Sequence, residues 1–137
     1  MTAPGDVDDE VLRELRRICS ALPETHEEPA WVGVRWKIRN RTFAHVLTVD
    51  EGRPEGHAKV IGTDGPVISL TFRSDGEELE ALLQAGPPFF YAGWGRDVVA
   101  LLVDRDTDWD EVRELLTESY CLLAPKKLAA AVARPPG

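Results

Sequence analysis

The chain has 137 residues, 43% of them hydrophobic and 29% charged, with a formal net charge of -8. That length is one soluble globular domain by prior and buries roughly 65–70% of its unfolded surface. The acidity excludes a general nucleic-acid coat protein, which would be basic overall; screening limits charge to about 8–10 Å and leaves room for a local cationic site. No apolar run approaches the roughly 20 residues that cross a bilayer, so no membrane association is expected.

The chain starts MTAPGDVDDE, acidic and polar, where a secretory signal would need a basic start and an apolar run. Val7, Val11, Leu15, Ile18 and Leu22 then recur at helical spacing and form one apolar stripe. Asp6 or Asp8 can cap this helix, Asp8, Asp9 and Glu10 suit its positive end, and Pro23 stops it. Leu22–Pro29, LPETHEEP, reads as a polar loop between two prolines.

Trp31–Asp50 reads as a β-hairpin. Val32, Val34, Trp36 and Ile38 alternate with Gly33, Arg35, Lys37 and Arg39, giving one apolar and one cationic face. Asn40-Arg41 marks the reversal, and Thr42–Val49 is rich in strand-forming residues. From Trp31 to Val49 there are four basic residues and no acidic one. Such a ribbon reads in two ways. It is a solvated outer face, whose charges discourage edge aggregation, or a rail for phosphate, with outward positions about 6.6–6.8 Å apart.

Glu51–Gly56 is turn chemistry, and His57–Ile61 is predicted as a short strand. A second turn, Gly62–Pro66, leads into a strand over Val67–Phe72. Ser74 or Asp75 opens a helix that Gly86-Pro87-Pro88 ends. Phe89–Gly95 is an aromatic, glycine-punctuated segment, with Trp94 the best candidate for an exposed ring. Val98–Val103 reads as a central strand covered by helices. Asp108 and Glu111 form a capping box for the next helix; Ala124-Pro125 breaks it and starts a last one from Lys126 to about Ala133.

The predicted fold is α+β: a two-layer sandwich of a mostly antiparallel sheet with its helices on one face. A single domain spans 1–137, with 1–6 and 134–137 frayed. His26, His45 and His57 are the only near-neutral titratable side chains, and no Ser/His/Asp order suggests catalysis. Gly93-Trp94-Gly95-Arg96 is no dinucleotide fingerprint, and no Walker-type loop occurs. Cys19 and Cys121 belong to no CxxC pair and read as buried, reduced thiols, hence a cytoplasmic protein. No enzyme activity, cofactor or metal is expected.

Several segments together resemble the MmcQ/YjbR family. They are LPETHEEPAW, GVRWKIRNRTFAHV, ISLTF, GPPFFYAGWGRDVVALLVD and DWDEVRELLTESYCLLAPKKLAA, covering about Val11 to Ala130. The most specific is Ser119-Tyr120 ahead of Ala124-Pro125-Lys126-Lys127-Leu128. The family typically has a basic or polar residue after Ser-Tyr; Cys121 stands there. The resemblance implies a frataxin/CyaY-like fold and a non-enzymatic DNA-binding role through a "double wing" of β-hairpins. One wing would be Arg35–Phe43, with Lys126 and Lys127 the basic pair after Tyr120. The expected nucleic-acid contacts are Arg35, Lys37, Arg39, Arg41, Trp94, Arg96, Lys126 and Lys127, on a monomer. Two alternatives stand beside this: a protein-interaction module using Trp94 and the hairpin, and a frataxin-like metal handler using Asp6, Asp8, Asp9 and Glu10.

Overall fold

The computed structural model describes residues 7–132; the expectations for Asp6, for the frayed ends and for a last helix reaching Ala133 concern positions outside the described residues. Asp8 accepts hydrogen bonds from the backbone N–H groups of Glu10 and Val11 and so caps α1 (Asp9–Ser20). The chain then enters β1 (Thr25–Pro29), where the sequence reads as a loop. β1 is an edge strand, made mostly of polar and charged residues and ending in proline, so it carries no apolar alternation to betray it.

Trp31 and Val32 form the tip between β1 and β2 (Val34–Ile38), closed by a hydrogen bond from Ala30 N–H to the Gly33 carbonyl. Gly33 has φ +77°, and a Cβ there would lie 2.0 Å from the Val46 carbonyl oxygen, so only glycine fits. The predicted hairpin is present as β2 and β3 (Arg41–Val49). Its reversal lies one residue earlier than Asn40-Arg41: Ile38 pairs with Arg41, and Arg39 takes the left-handed conformation.

Residues 57–61 are helical, not extended. They belong to α2 (Glu55–Ile61), preceded by Pro54 and ended by Gly62 in the left-handed conformation. Then follow β4 (Val67–Arg73), α3 (Gly76–Ala85), β5 (Phe89–Tyr91), β6 (Val98–Val103), α4 (Trp109–Leu123) and α5 (Lys126–Ala130). The six strands form one antiparallel sheet in the order β1-β2-β3-β4-β6-β5.

The architecture is the expected α+β sandwich. On one face Trp36, Ile38, Val46, Leu70, Phe72, Val99 and Leu101 meet Leu15 and Ile18 of α1 and Val112, Leu116 and Tyr120 of α4. Leu79, Leu82 and Leu83 of α3 and Leu128 of α5 pack against the same core. The expectation that every helix lies on this face is corrected by α2. Its Ala58 and Ile61 bury against Leu47 and Val49 on the opposite face. β3 leaves the odd residues Leu47 and Val49 on that side, so a second apolar patch exists and needs a cover.

Between Trp36 and Lys37 the β2–β3 register shifts, and Phe43 is the extra residue of a bulge. Phe43 and Ala44 are both buried in the helix-side core, and Phe43 meets Tyr120 edge-on at 5.6 Å. The β3–β4 ladder stops at Ala44 and Phe72. Ser119 fills the gap: its Oγ donates to the Phe43 carbonyl at 2.6 Å and accepts from the Arg73 N–H at 2.8 Å. The Tyr120 hydroxyl donates to the Pro23 carbonyl at 2.7 Å, tying α4 to the end of α1. Ser119→Ala strands one buried acceptor and one donor and is expected to cost about 1–3 kcal/mol; Tyr120→Phe, which removes one net bond, is expected to cost about 1 kcal/mol. Urea unfolding of the two variants measures both, and Ser119→Ala is the larger loss.

Candidate functional site

α2 covers only half of the second sheet face. One row across the sheet, Leu47, Ser69 and Leu102, lies under or beside it. The next row, Arg35, His45, Thr71 and Ala100, lies beyond α2: Thr71 and Ala100 are buried, Arg35 and His45 are part-exposed, and Lys37 and Thr42 follow. The half beyond α2 forms a cleft of about 210 Å³ lined by Trp31, Arg35, Thr42, His45, Thr71, Arg73, Trp94 and Val98, among others, and by no carboxylate. Four other surface clefts are each lined by two or more Asp or Glu side chains. The lining itself holds no carboxylate in a chain of net charge -8, although Glu28 and Asp97 pair with its two arginines from just outside it.

The eight residues expected from the sequence divide by location. Arg35 and Lys37 share the open face, and Trp94 stands at the cleft wall. Arg39 is in the turn, and Arg41 shares the register position of Ile38, toward the helix side. Arg96 is exposed in the turn before β6, outside the cleft lining. Lys126 and Lys127 are exposed on α5, which packs through Leu128 on the other face of the sheet. The eight thus do not form one surface.

Nor is the cationic ribbon bare. β1 brings Glu28 opposite Arg35, and one carboxylate oxygen accepts from Arg35 Nε at 2.7 Å and lies 3.5 Å from Lys37 Nζ. Hydrogen bonding from Arg35 and its charge, then the charge of Lys37, outweigh burial and hold the Glu28 carboxyl below the usual carboxylate range. Arg39 pairs with Glu24 at 3.3 Å. Two further cleft residues, Trp31 and Arg73, stand outside the expected eight. Trp31 is 88% exposed at the β1–β2 tip, and the Arg73 guanidinium pairs with Asp97 through Nη1 at 2.8 Å. A guanidinium has five N–H donors, and these bonds use Nε and Nη2 of Arg35 and Nη1 of Arg73. Donors remain on both for a ligand.

Trp94 is 41% exposed and stacks on His57 at 4.5 Å and on His45 at 5.5 Å, the rings within 22° of parallel. Gly93 and Gly95 flank it with φ of +83° and +141° and let the loop fold the indole back on the sheet. His57 is fixed on both sides. Nδ1 is 3.0 Å from the Ala92 carbonyl, so it carries the proton, and Nε2 accepts from the Ser69 hydroxyl at 2.8 Å. His45 Nε2 donates to the Val32 carbonyl at 2.5 Å.

Ser69 and His57 make a Ser–His pair, yet they are 0% and 1% exposed, and the indole covers the imidazole. The pair ties α2 to β4 and has no open path to a substrate. Among the described residues no three His, Cys, Asp or Glu side chains converge as metal ligands, and Asp8 is occupied as a cap. Burial pushes the Cys19 thiol far up, which keeps it protonated. No described helix is long and apolar enough to cross a membrane.

Burial, against the bond to Val32, lowers the His45 pKa, and burial against the bond to Ala92 lowers that of His57. Both histidines are neutral when folded, and the unfolded chain takes up protons first. Stability is therefore full above the ordinary value of 6.5 and falls as pH drops below it, until the folded pKa is reached. Each histidine contributes at most about 1.4 kcal/mol per pH unit in that window. Denaturant unfolding at stepped pH is expected to show this slope, and a His45→Gln/His57→Gln variant is expected to flatten it.

Comparison with known proteins follows the same outline. The YjbR family model matches residues 20–122. No curated protein matches the chain. Among solved structures, the crystal structure of a Deinococcus radiodurans protein described by domain DUF419 superposes with a TM-score of 0.61 at 23% identity, over 90% of this chain and 88% of that one. At that identity the likeness is one of fold. The matched span runs from the end of α1 into the last turn of α4 and takes in the whole sheet, both walls of the cleft and the Ser119-Tyr120 staple, and on that match the chain belongs to the YjbR family.

Proposed function

We propose that this YjbR-family protein is a non-enzymatic DNA-binding domain that uses the open half of its sheet. The observation that carries this reading is the carboxylate-free cleft with two arginines and two exposed tryptophans. Phosphate is met by Arg35, Lys37 and Arg73, and aromatic rings stand beside them for the bases. The contact surface so defined keeps Arg35, Lys37 and Trp94 from the sequence reading. It adds Trp31 and Arg73, and it leaves Lys126 and Lys127 on the far side.

Glu28 has a definite place in this reading. It neutralises Arg35 and Lys37 in the absence of a ligand, through part-buried pairs that solvent and salt screen only in part. A phosphate competes with it for the same donors. The frataxin-like metal reading lacks a converging ligand set among the described residues. A protein-interaction role would use the same tryptophans, and is distinguished by its salt dependence.

The test is a titration of fluorescent oligonucleotide over a series of salt concentrations. An Arg35→Ala/Lys37→Ala/Arg73→Ala variant is expected to lower the log–log salt slope by about 2–3, since each lost contact removes roughly 0.7–0.9. Glu28→Gln is expected to tighten binding. Unchanged affinity and slope in the triple variant, with no gain from Glu28→Gln, overturn the proposal.

A further inference from the structure

We infer that the cleft is a single-nucleotide subsite that takes one unpaired base between Trp31 and Trp94, so that the protein prefers single-stranded DNA to duplex. This rests on the DNA-binding reading and goes beyond it in naming which form of DNA the site accepts.

Three observations carry it. First, size: the recess is about 210 Å³, below the roughly 300–1,000 Å³ of pockets for drug-sized ligands. It suits one ring system and excludes a double helix. Second, its walls are aromatic. Trp31 is 88% exposed at a hairpin tip, where nothing in the fold uses its ring. Trp94 keeps 41% of its surface open although it stacks on two imidazoles. A fold that only needed to seal His57 would not leave a second indole of the same cleft in water, because exposed apolar area is unfavourable. Third, the floor and rim are polar and cationic: Thr71, His45, Arg35 and Arg73. Bases stack on indoles whatever their sequence, and the adjoining phosphate needs donors within a few ångströms of the ring. A paired base hides both its faces in the duplex stack and offers no surface to either tryptophan.

A planar ring joined to a phosphate could also be a free nucleotide. The strand is the stronger assignment because Lys37 extends the cationic face past the cleft, along β2, to where a neighbouring phosphate would lie.

The experiment compares four probes with the intact protein: an oligothymidine strand, a duplex of the same length, thymidine monophosphate and a polyglutamate peptide. The oligothymidine is expected to bind most tightly. Trp94→Ala is expected to weaken it roughly 5- to 100-fold, the range for loss of one base-stacking ring, and Trp94→Phe to restore most of that. Because Trp94 also covers His57, Trp31→Ala is the second variant; its ring lies outside the core, and it is expected to weaken the strand while unfolding at the same denaturant concentration as wild type. Equal binding of strand and duplex, with both tryptophan variants unaffected, overturns the subsite and leaves the DNA reading standing. Monophosphate binding as tight as the strand overturns the strand assignment. No binding of any nucleic acid, or polyglutamate binding as well as the strand, overturns both this inference and the reading under it.

Discussion

A sheet with two apolar faces and too little helix to cover both is the constraint from which the rest of this molecule follows. α1, α3, α4 and α5 cover most of one face. On the other, α2 has only seven residues, and Ala58 and Ile61 can cover no more than Leu47, Val49 and their neighbours. The remaining half is more polar: part-exposed Arg35, Lys37, Thr42, His45 and Arg73, with Thr71 buried among them, stand in place of the aliphatic side chains of the covered half. The change occurs within single strands. β3 passes from Thr42 and His45 to Leu47 and Val49, and β4 from Arg73 and Thr71 to Ser69 and Val67. The boundary between the halves is where polar groups would be stranded, and there His57 bonds Ser69 and Ala92 while Trp94 lies over the imidazole.

The same division explains how a cationic strand survives in an acidic protein. Arg35 and Lys37 are adjacent outward positions on β2 and repel one another. β1 supplies Glu28 directly across from Arg35, while Glu27, on the alternate side, reaches Arg16 of α1 at 2.9 Å. A five-residue edge strand with almost no apolar side chain is thus held by its ladder bonds and by charges that match on both faces. Its polar character also blunts the open edge of the sheet against further strand pairing.

How far the sequence could reveal this depends on what kind of force holds each element. α1, α3, α4 and the β2–β3 hairpin are held by apolar stripes of the proper period, with side-chain caps at Asp8 and Asp108 and with Asp75 at the start of α3, and all of that is written in the residues. β1 is held by its ladder to β2 and by ion pairs to Arg16 and Arg35 on neighbouring elements, so its own five residues carry no apolar period to read. In α2 the segment from His57 to Ile61 fits period two almost as well as 3.6, and only Pro54 before it and Gly62 after it mark a helix. The cleft was legible in part. Alternation puts His45 opposite Ala44 and Val46, and Trp94 stands out between its two glycines. Trp31 as an exposed tip depends on β1 pairing with β2, and Arg73 as a lining residue depends on the order β3-β4-β6; neither follows from local pattern. The Ser119-Tyr120 motif, read from resemblance alone, has a local physical cause: a bulge at Phe43 leaves two buried backbone groups that one hydroxyl satisfies.

Acidity elsewhere is compatible with a site for a polyanion and shapes how such a site works. At physiological ionic strength a charge is felt over about 8 Å, so carboxylates farther than that from Arg35 and Arg73 would do little to a phosphate bound there. They would act earlier, during approach. Under the DNA-binding proposal, the clefts lined by Asp8, Asp104, Asp108 and Glu111 would repel a strand from the helix side and the far end of the sheet, and the recess lined by Arg35 and Arg73 would be the side of entry. A uniformly basic protein binds nucleic acid anywhere along its surface and gains affinity without orientation. On the proposed reading, the surrounding negative charge would give up long-range attraction and disfavour every pose of the polyanion but the one that brings its bases to the tryptophans.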